Sequence, residues 1–130
     1  MAFVEGNFCS IAMEEPKDLK AALRWCTAAL THMERAAKAV GDGSLDIDLV
    51  NRHAWLGGIH AELGDRAREA IHLDAQERLL KALLLRTPLN LDCQDMWLVL
   101  QTSLARREIA LGQISAARTR LVGRPSSARR

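Results

Sequence analysis

Two Leu-Gly pairs, Leu63-Gly64 and Leu111-Gly112, constrain this chain more than any other feature. Each closes a run in which apolar residues recur at steps of three or four, and a second such run opens within a few residues. Glycine placed after the last apolar position is a helix stop, because it enters the left-handed region without a Cβ penalty. A chain punctuated in this way folds back on itself as paired helices.

Composition agrees. Of 130 residues, 48% are apolar, which suffices for the core of one domain of ordinary size. Leu and Ala dominate that set, aromatics make up 4% and Tyr is absent. Sheets favour branched and aromatic side chains, whereas helices favour Ala, Leu, Glu, Arg and Lys. No stretch sustains a period of two. The expected class is all-α.

The runs can be bounded. Residues 1–15 lack periodicity and form an irregular segment. Glu14-Glu15-Pro16 then suits a helix start, since carboxylates and proline both fit a helix N-terminus. Leu19, Ala22, Leu23, Cys26, Leu30, Met33, Ala37 and Val40 form one stripe, so a first helix is predicted over 16–40 with Gly41 as its stop. Asp46 or Asp48 is available to cap a second helix over 47–63. Gly57-Gly58 in its middle costs roughly 1 kcal/mol per glycine relative to alanine. That cost points to a close approach by a neighbouring helix, where no side chain fits.

Asp65 can cap a third helix over 66–86. Its run from Leu79 to Leu85 is apolar almost all round, and a helix of that kind is expected to be covered on more than one face, by neighbouring helices or by a partner. Thr87-Pro88 stops it. Asp92 is the expected cap of a fourth helix over 93–111, and a fifth follows over 114–121. The helical domain therefore spans 16–122, and Gly123 opens a basic tail over 123–130 that is expected to be disordered.

Several chemistries find no support. His53 and His60 lie seven apart on one helix, wider than the i, i+4 spacing of helical zinc pairs, and His32 and His72 stand alone in sequence. Cys9, Cys26 and Cys93 match neither a zinc motif nor a redox pair, so small buried thiols in a reducing compartment are expected. Asp42, Asp46, Asp48, Asp65, Asp92 and Asp95 fall at helix starts and turns, where capping explains them. No glycine-rich phosphate loop is present. The chain is expected to be no enzyme, and to need no metal and no cofactor.

A net charge of +2 argues against a nucleic-acid binder, which ordinarily carries a concentrated basic face. The local excess is Arg118, Arg120, Arg124, Arg129 and Arg130, read as a solvated tail, with contact to nucleic acid or an acidic partner as the alternative. The N-terminus has no signal-peptide pattern, and no segment approaches the ~20 apolar residues of a membrane span. Cytoplasmic localisation without membrane contact is expected.

The two Leu-Gly turns belong to a longer repeat. Leu45-Asp46, helix, Leu63-Gly64, helix is matched by Leu91-Asp92, helix, Leu111-Gly112, helix. With a two-residue length difference allowed, Leu56 also falls on Leu104 and Leu73 on Leu121. Helix pairs of this kind cannot cover their own apolar faces and make a core by stacking. Leu56-Gly57, Gly64, Ala70 and Leu73, then Leu104-Ala105, Gly112, Ala117 and Leu121, resemble the tetratricopeptide repeat. The resemblance covers about residues 45–121. The 48-residue spacing of the turn glycines exceeds the family's ~34, and Trp55 and Trp97 do not align.

The resemblance implies a short right-handed array of antiparallel helix pairs, with a plain helix bundle as the alternative. It also implies that the first helix of each unit lines a concave face. By motif position the lining residues are Asn51, Ala54, Gly58 and Ala61, then Val99, Thr102, Arg106 and Ile109. These are mostly small or apolar, so such a groove would accept an apolar helix or extended segment. Alternatively, the same residues pack against the first helix. The function expected is that of a protein- or peptide-binding module, adaptor or chaperone-like. A self-associating bundle, such as a homodimer, and a regulator using the Arg-rich tail are the alternatives.

Overall fold

A computed structural model describes residues 18–122. Those residues are all-α: α1 Leu19–Val40, α2 Asp46–Glu62, α3 Arg66–Arg86, α4 Leu91–Ala110 and α5 Ile114–Val122. The expected helix start at Pro16 and the basic tail over 123–130 lie outside the described residues. No helix among those described is long and apolar enough to cross a membrane.

The helix ends follow from local chemistry, with two corrections. Asp18 caps α1, its carboxylate accepting the Ala21 N–H at 3.0 Å, and Gly41 closes the helix at φ 73° with its N–H on the Ala37 carbonyl. Gly64 and Gly112 take φ 76° and 77°, the left-handed conformation their place after Leu63 and Leu111 demands. Asp65 caps α3 through the Arg68 N–H, and that bond holds its carboxyl below the usual carboxylate range. Neither Asp46 nor Asp92 is a cap. Leu45 occupies the cap position of α2 without a side-chain bond, and Asn90 caps α4 by accepting the Cys93 N–H at 3.1 Å. Both aspartates sit in the first turn instead, where a carboxylate still favours the helix dipole.

The chain divides into two compact units, Met1–Gln76 and Glu77–Arg130, with the boundary inside α3. In the first unit α1 packs on α2. Ala22, Cys26, Ala29 and Leu30 of α1 are buried, as are Leu49, Val50, Leu56 and Ile59 of α2. Small residues on α1 let the two backbones come close, while the larger side chains of α2 fill the space between. In the second unit α4 packs on α5, and its buried set includes Leu80, Leu83, Leu84, Trp97, Leu100, Leu104 and Ala117.

Three further expectations meet the structure unevenly. In the run from Leu79 to Leu85, Leu80, Leu83 and Leu84 are buried, whereas Ala82 and Leu85 are exposed in the single chain. The two mid-helix glycines also behave differently. A Cβ on Gly57 would stand 3.5 Å from the His72 Cβ, which leaves room for a methyl and little more, whereas a Cβ on Gly58 would meet nothing within 4 Å. Close approach explains Gly57 alone. Finally, Cys93 is a free buried thiol but Cys26 is disulfide-bonded, because separation in sequence does not measure separation in space.

Candidate functional site

All eight residues expected to line a groove are exposed. Asn51, Ala54, Gly58 and Ala61 share one face of α2 in the first unit, at steps of three and four. Val99, Thr102, Arg106 and Ile109 share one face of α4 in the second unit, at the same steps. Each stripe is complete within its own unit. Burial of these residues against the first helix, the competing expectation, is not what the structure has.

The two faces differ in character. That of α2 is made of small groups. That of α4 carries large apolar side chains beside Thr102 and Arg106: Val99 is 68% exposed and Ile109 53%, and Leu98 alongside them is 62% exposed. The Thr102 hydroxyl donates to the Leu98 carbonyl at 3.0 Å and the Ser103 hydroxyl to that of Val99 at 3.2 Å. Both hydroxyls spend their protons on their own helix, and the charged group among the four is Arg106, between Val99 at one end and Ile109 at the other.

A second feature lies inside the first unit. His53 and His60 flank Gly57 on α2, one turn to either side, and His72 of α3 enters over that glycine. The His53 and His72 Nδ1 atoms are 2.9 Å apart, a hydrogen bond between two imidazoles. The His60 and His72 rings are stacked, 5.5 Å between centroids and 5° between planes. His53 and His60 are buried, and the His60 Nδ1 has no hydrogen-bond partner. Burial, and then the charge of His60, hold the His72 imidazole below its ordinary value of 6.5. His72 therefore does not stand alone. No group of three metal-ligating side chains among the described residues has the geometry to hold a metal ion.

A third feature lies inside the second unit, where an open cleft of about 520 Å³ runs past Glu77, Trp97, Gln101, Glu108 and Arg120. Arg120 engages both oxygens of Glu108, through Nε at 2.8 Å and Nη2 at 3.1 Å. Its Nη1 donates to Glu77 at 2.8 Å and to the Gln101 carbonyl oxygen at 2.9 Å. Gln101 in turn donates to Glu77 at 3.2 Å. Glu108 chiefly, with Glu77, raises the Arg120 pKa further above its ordinary value. These groups spend their hydrogen bonds on one another, so the cleft is floored by a clasp that ties α5 to α3 and α4.

Arg118 and Arg120 thus belong to α5 and not to a solvated tail, while Arg124, Arg129 and Arg130 lie outside the described residues. Sequence reasoning missed both polar clusters. The glycine midway between His53 and His60 marked where something approaches, but nothing in the sequence named His72. Glu77, Gln101, Glu108 and Arg120 come from three helices and carry no motif.

No protein-family model, no curated protein and no solved structure matches this chain. The sites are therefore read from their own chemistry.

Proposed function

We propose that this chain is a non-catalytic protein-binding module, adaptor or chaperone-like, of the tetratricopeptide-like helix-pair type. Its docking surface is the outer face of α4, and its ligand is an apolar helix or extended segment of another protein. The observation that carries this reading is the run of Leu98, Val99 and Ile109, three large apolar side chains each more than half exposed on one helix. Large exposed apolar patches mark interaction surfaces, because leaving them in water forgoes about 25 cal/mol for every Å² that a partner would cover. The mostly small residues on the outer face of α2 fit a lining that admits close approach. The clasp at Arg120 supports the non-catalytic part, since its charged groups are engaged with each other.

The test is capture of a partner from native lysate by immobilised protein, with Val99→Asp, Ile109→Asp and Arg106→Glu beside the unchanged chain. Each of these residues is exposed, so the variants should fold as before, checked by circular dichroism. Loss of the captured protein with Val99→Asp or Ile109→Asp is the expected result. Capture unchanged by all three would show that the face of α4 is not the docking surface.

A second reading has its own support. Ile114, Leu121 and Val122 of α5 are also exposed, as Leu111 is before it, and such residues suit pairing between copies of this chain. Light scattering separates the two: a concentration-independent dimer abolished by Val122→Asp favours self-association, and a monomer favours the partner.

A further inference from the structure

We infer that α4 pairs antiparallel with α4 of a second copy of this chain, so that the chain alone is a reversible dimer and a captured segment takes the place of the second helix. This pairing rests on the proposed docking surface on α4 and names the helix that covers it when no other protein does.

The outer face of α4 has the pattern of a seam. Asp92, Asp95, Val99, Thr102, Arg106 and Ile109 are all exposed, and they recur at alternating steps of three and four. That alternation is the spacing by which one helix presents a single line of residues to another. Leu91 and Leu98 run with Ile109 along one edge of the line, each more than half exposed. Thr102 and Ser103 are small, and their hydroxyls already donate to carbonyls of their own helix, so covering them leaves no donor unmet.

The charges along the line select the occupant. Asp92 in the first turn suits the positive end of the helix dipole, but Asp95 lies beyond that turn and Arg106 precedes the last one. Neither forms an ion pair with a charged side chain among the described residues. They are eleven residues apart on one helix, roughly 16 Å along its axis, and cannot reach each other. A second copy turned end for end supplies what each lacks. With the two-fold axis midway between Val99 and Thr102, Asp95 of each copy faces Arg106 of the other. The same operation sets Val99 opposite Thr102 and Leu91 close to Ile109. A two-fold contact makes every such pair twice. A parallel arrangement would set Asp95 on Asp95 and Arg106 on Arg106, like charge on like. The line is thus complementary to its own reverse, which favours a second copy over an arbitrary apolar helix as its resting occupant. One stripe of one helix is a small contact, so the dimer is a reversible one.

Sedimentation equilibrium of the purified full chain tests the pairing, with Asp95→Arg, Arg106→Glu, the two combined, and Val122→Asp on α5. These residues are exposed, so the variants should keep their helix content, checked by circular dichroism. The unchanged chain should show a concentration-dependent monomer–dimer equilibrium, and Val122→Asp should leave it as it is. Each single reversal replaces two opposite-charge contacts by two like-charge ones and should weaken the dimer by on the order of tenfold. The combined variant restores opposite charges across an antiparallel seam, and only there, and should recover most of the affinity. A monomer at every concentration up to about 1 mM would overturn the pairing. So would a dimer indifferent to both single reversals, or one as weak in the combined variant as in the singles. Should a reversal unfold the chain, salt decides: about 1 M salt should weaken the unchanged dimer severalfold, and an equilibrium unmoved by salt would overturn it. No other protein is present in these measurements, so they fail separately from the docking surface. A monomer that loses partner capture with Val99→Asp removes the pairing and keeps the surface. A dimer restored in the combined variant, with capture unchanged in Val99→Asp, keeps the pairing and removes the foreign segment.

Discussion

The two units place polar side chains between their helices in different ways. In the first, three imidazoles meet over Gly57. In the second, one guanidinium holds two carboxylates and an amide. The first joins two consecutive helices and leaves the buried His60 Nδ1 without a hydrogen-bond partner, whereas the second ties α5 to α3 and α4 with its charged groups engaged on one another. Their responses to acid differ because their chemistry does. Imidazoles change charge between about pH 5 and 8, whereas carboxylates as a class do so near 4 and guanidinium not at all. Burial holds the His72 imidazole below its ordinary 6.5, so the stability it contributes is present in full above that pH. It should be lost as pH falls from there towards the folded value, which makes the first unit the one expected to weaken in acid.

The comparison can be broken most severely at Arg120. Arg120→Ala leaves Glu77 and Glu108 facing the same space without their shared cation. A fully buried pair broken in this way costs about 3–5 kcal/mol, and Arg120 at 23% side-chain exposure should cost less, about 2–3 kcal/mol. Urea denaturation should show the loss, and it should be as large at pH 7.5 as at pH 6. A loss below about 0.5 kcal/mol would mean that the clasp is ornamental.

The corresponding break in the first unit is Gly57→Leu. A methyl at this position already reaches ordinary contact with His72, so a full leucine has to push α3 aside, at about 1–3 kcal/mol. The same variant should also flatten the pH dependence of unfolding, because His72 can no longer reach His53. The neighbouring glycine sharpens the point from the other side. Gly58→Ala meets nothing within 4 Å and should stabilise α2 by up to about 1 kcal/mol, measured as a higher unfolding midpoint. If Gly58→Ala destabilises instead, something covers the face of α2 on which it lies. Smallest of all, Val99→Asp and Ile109→Asp should change stability by less than about 0.5 kcal/mol, whatever they do to partner capture.

The parts of this fold that were legible in the sequence are those decided locally. Gly41, Gly64 and Gly112 end helices because of what glycine itself can do, and the apolar stripes before and between them lie on helices among the described residues. The exposed stripes on α2 and α4 were also reachable, since residues three and four apart share a face once a helix is granted. The cap of α4 was misplaced by two residues: Asp92 was expected there, but the turn from Thr87 to Asn90 presents the Asn90 side chain to the Cys93 N–H. The polar clusters were not legible. His72 is 19 residues from His53 and Arg120 is 43 from Glu77, so each contact depends on how helices pack and not on any spacing within one. Arg120 was further disguised by its neighbours, because an arginine-rich chain end reads as solvated.

Amide hydrogen exchange at pH 7.5 and pH 5.5, expressed as protection relative to an unstructured chain, tests most directly the claim that acid sensitivity belongs to one unit. Protection should fall at the lower pH in α2 and in the part of α3 before Gln76, while α4 and α5 keep theirs. Equal loss throughout, or loss confined to α4 and α5, would contradict the account.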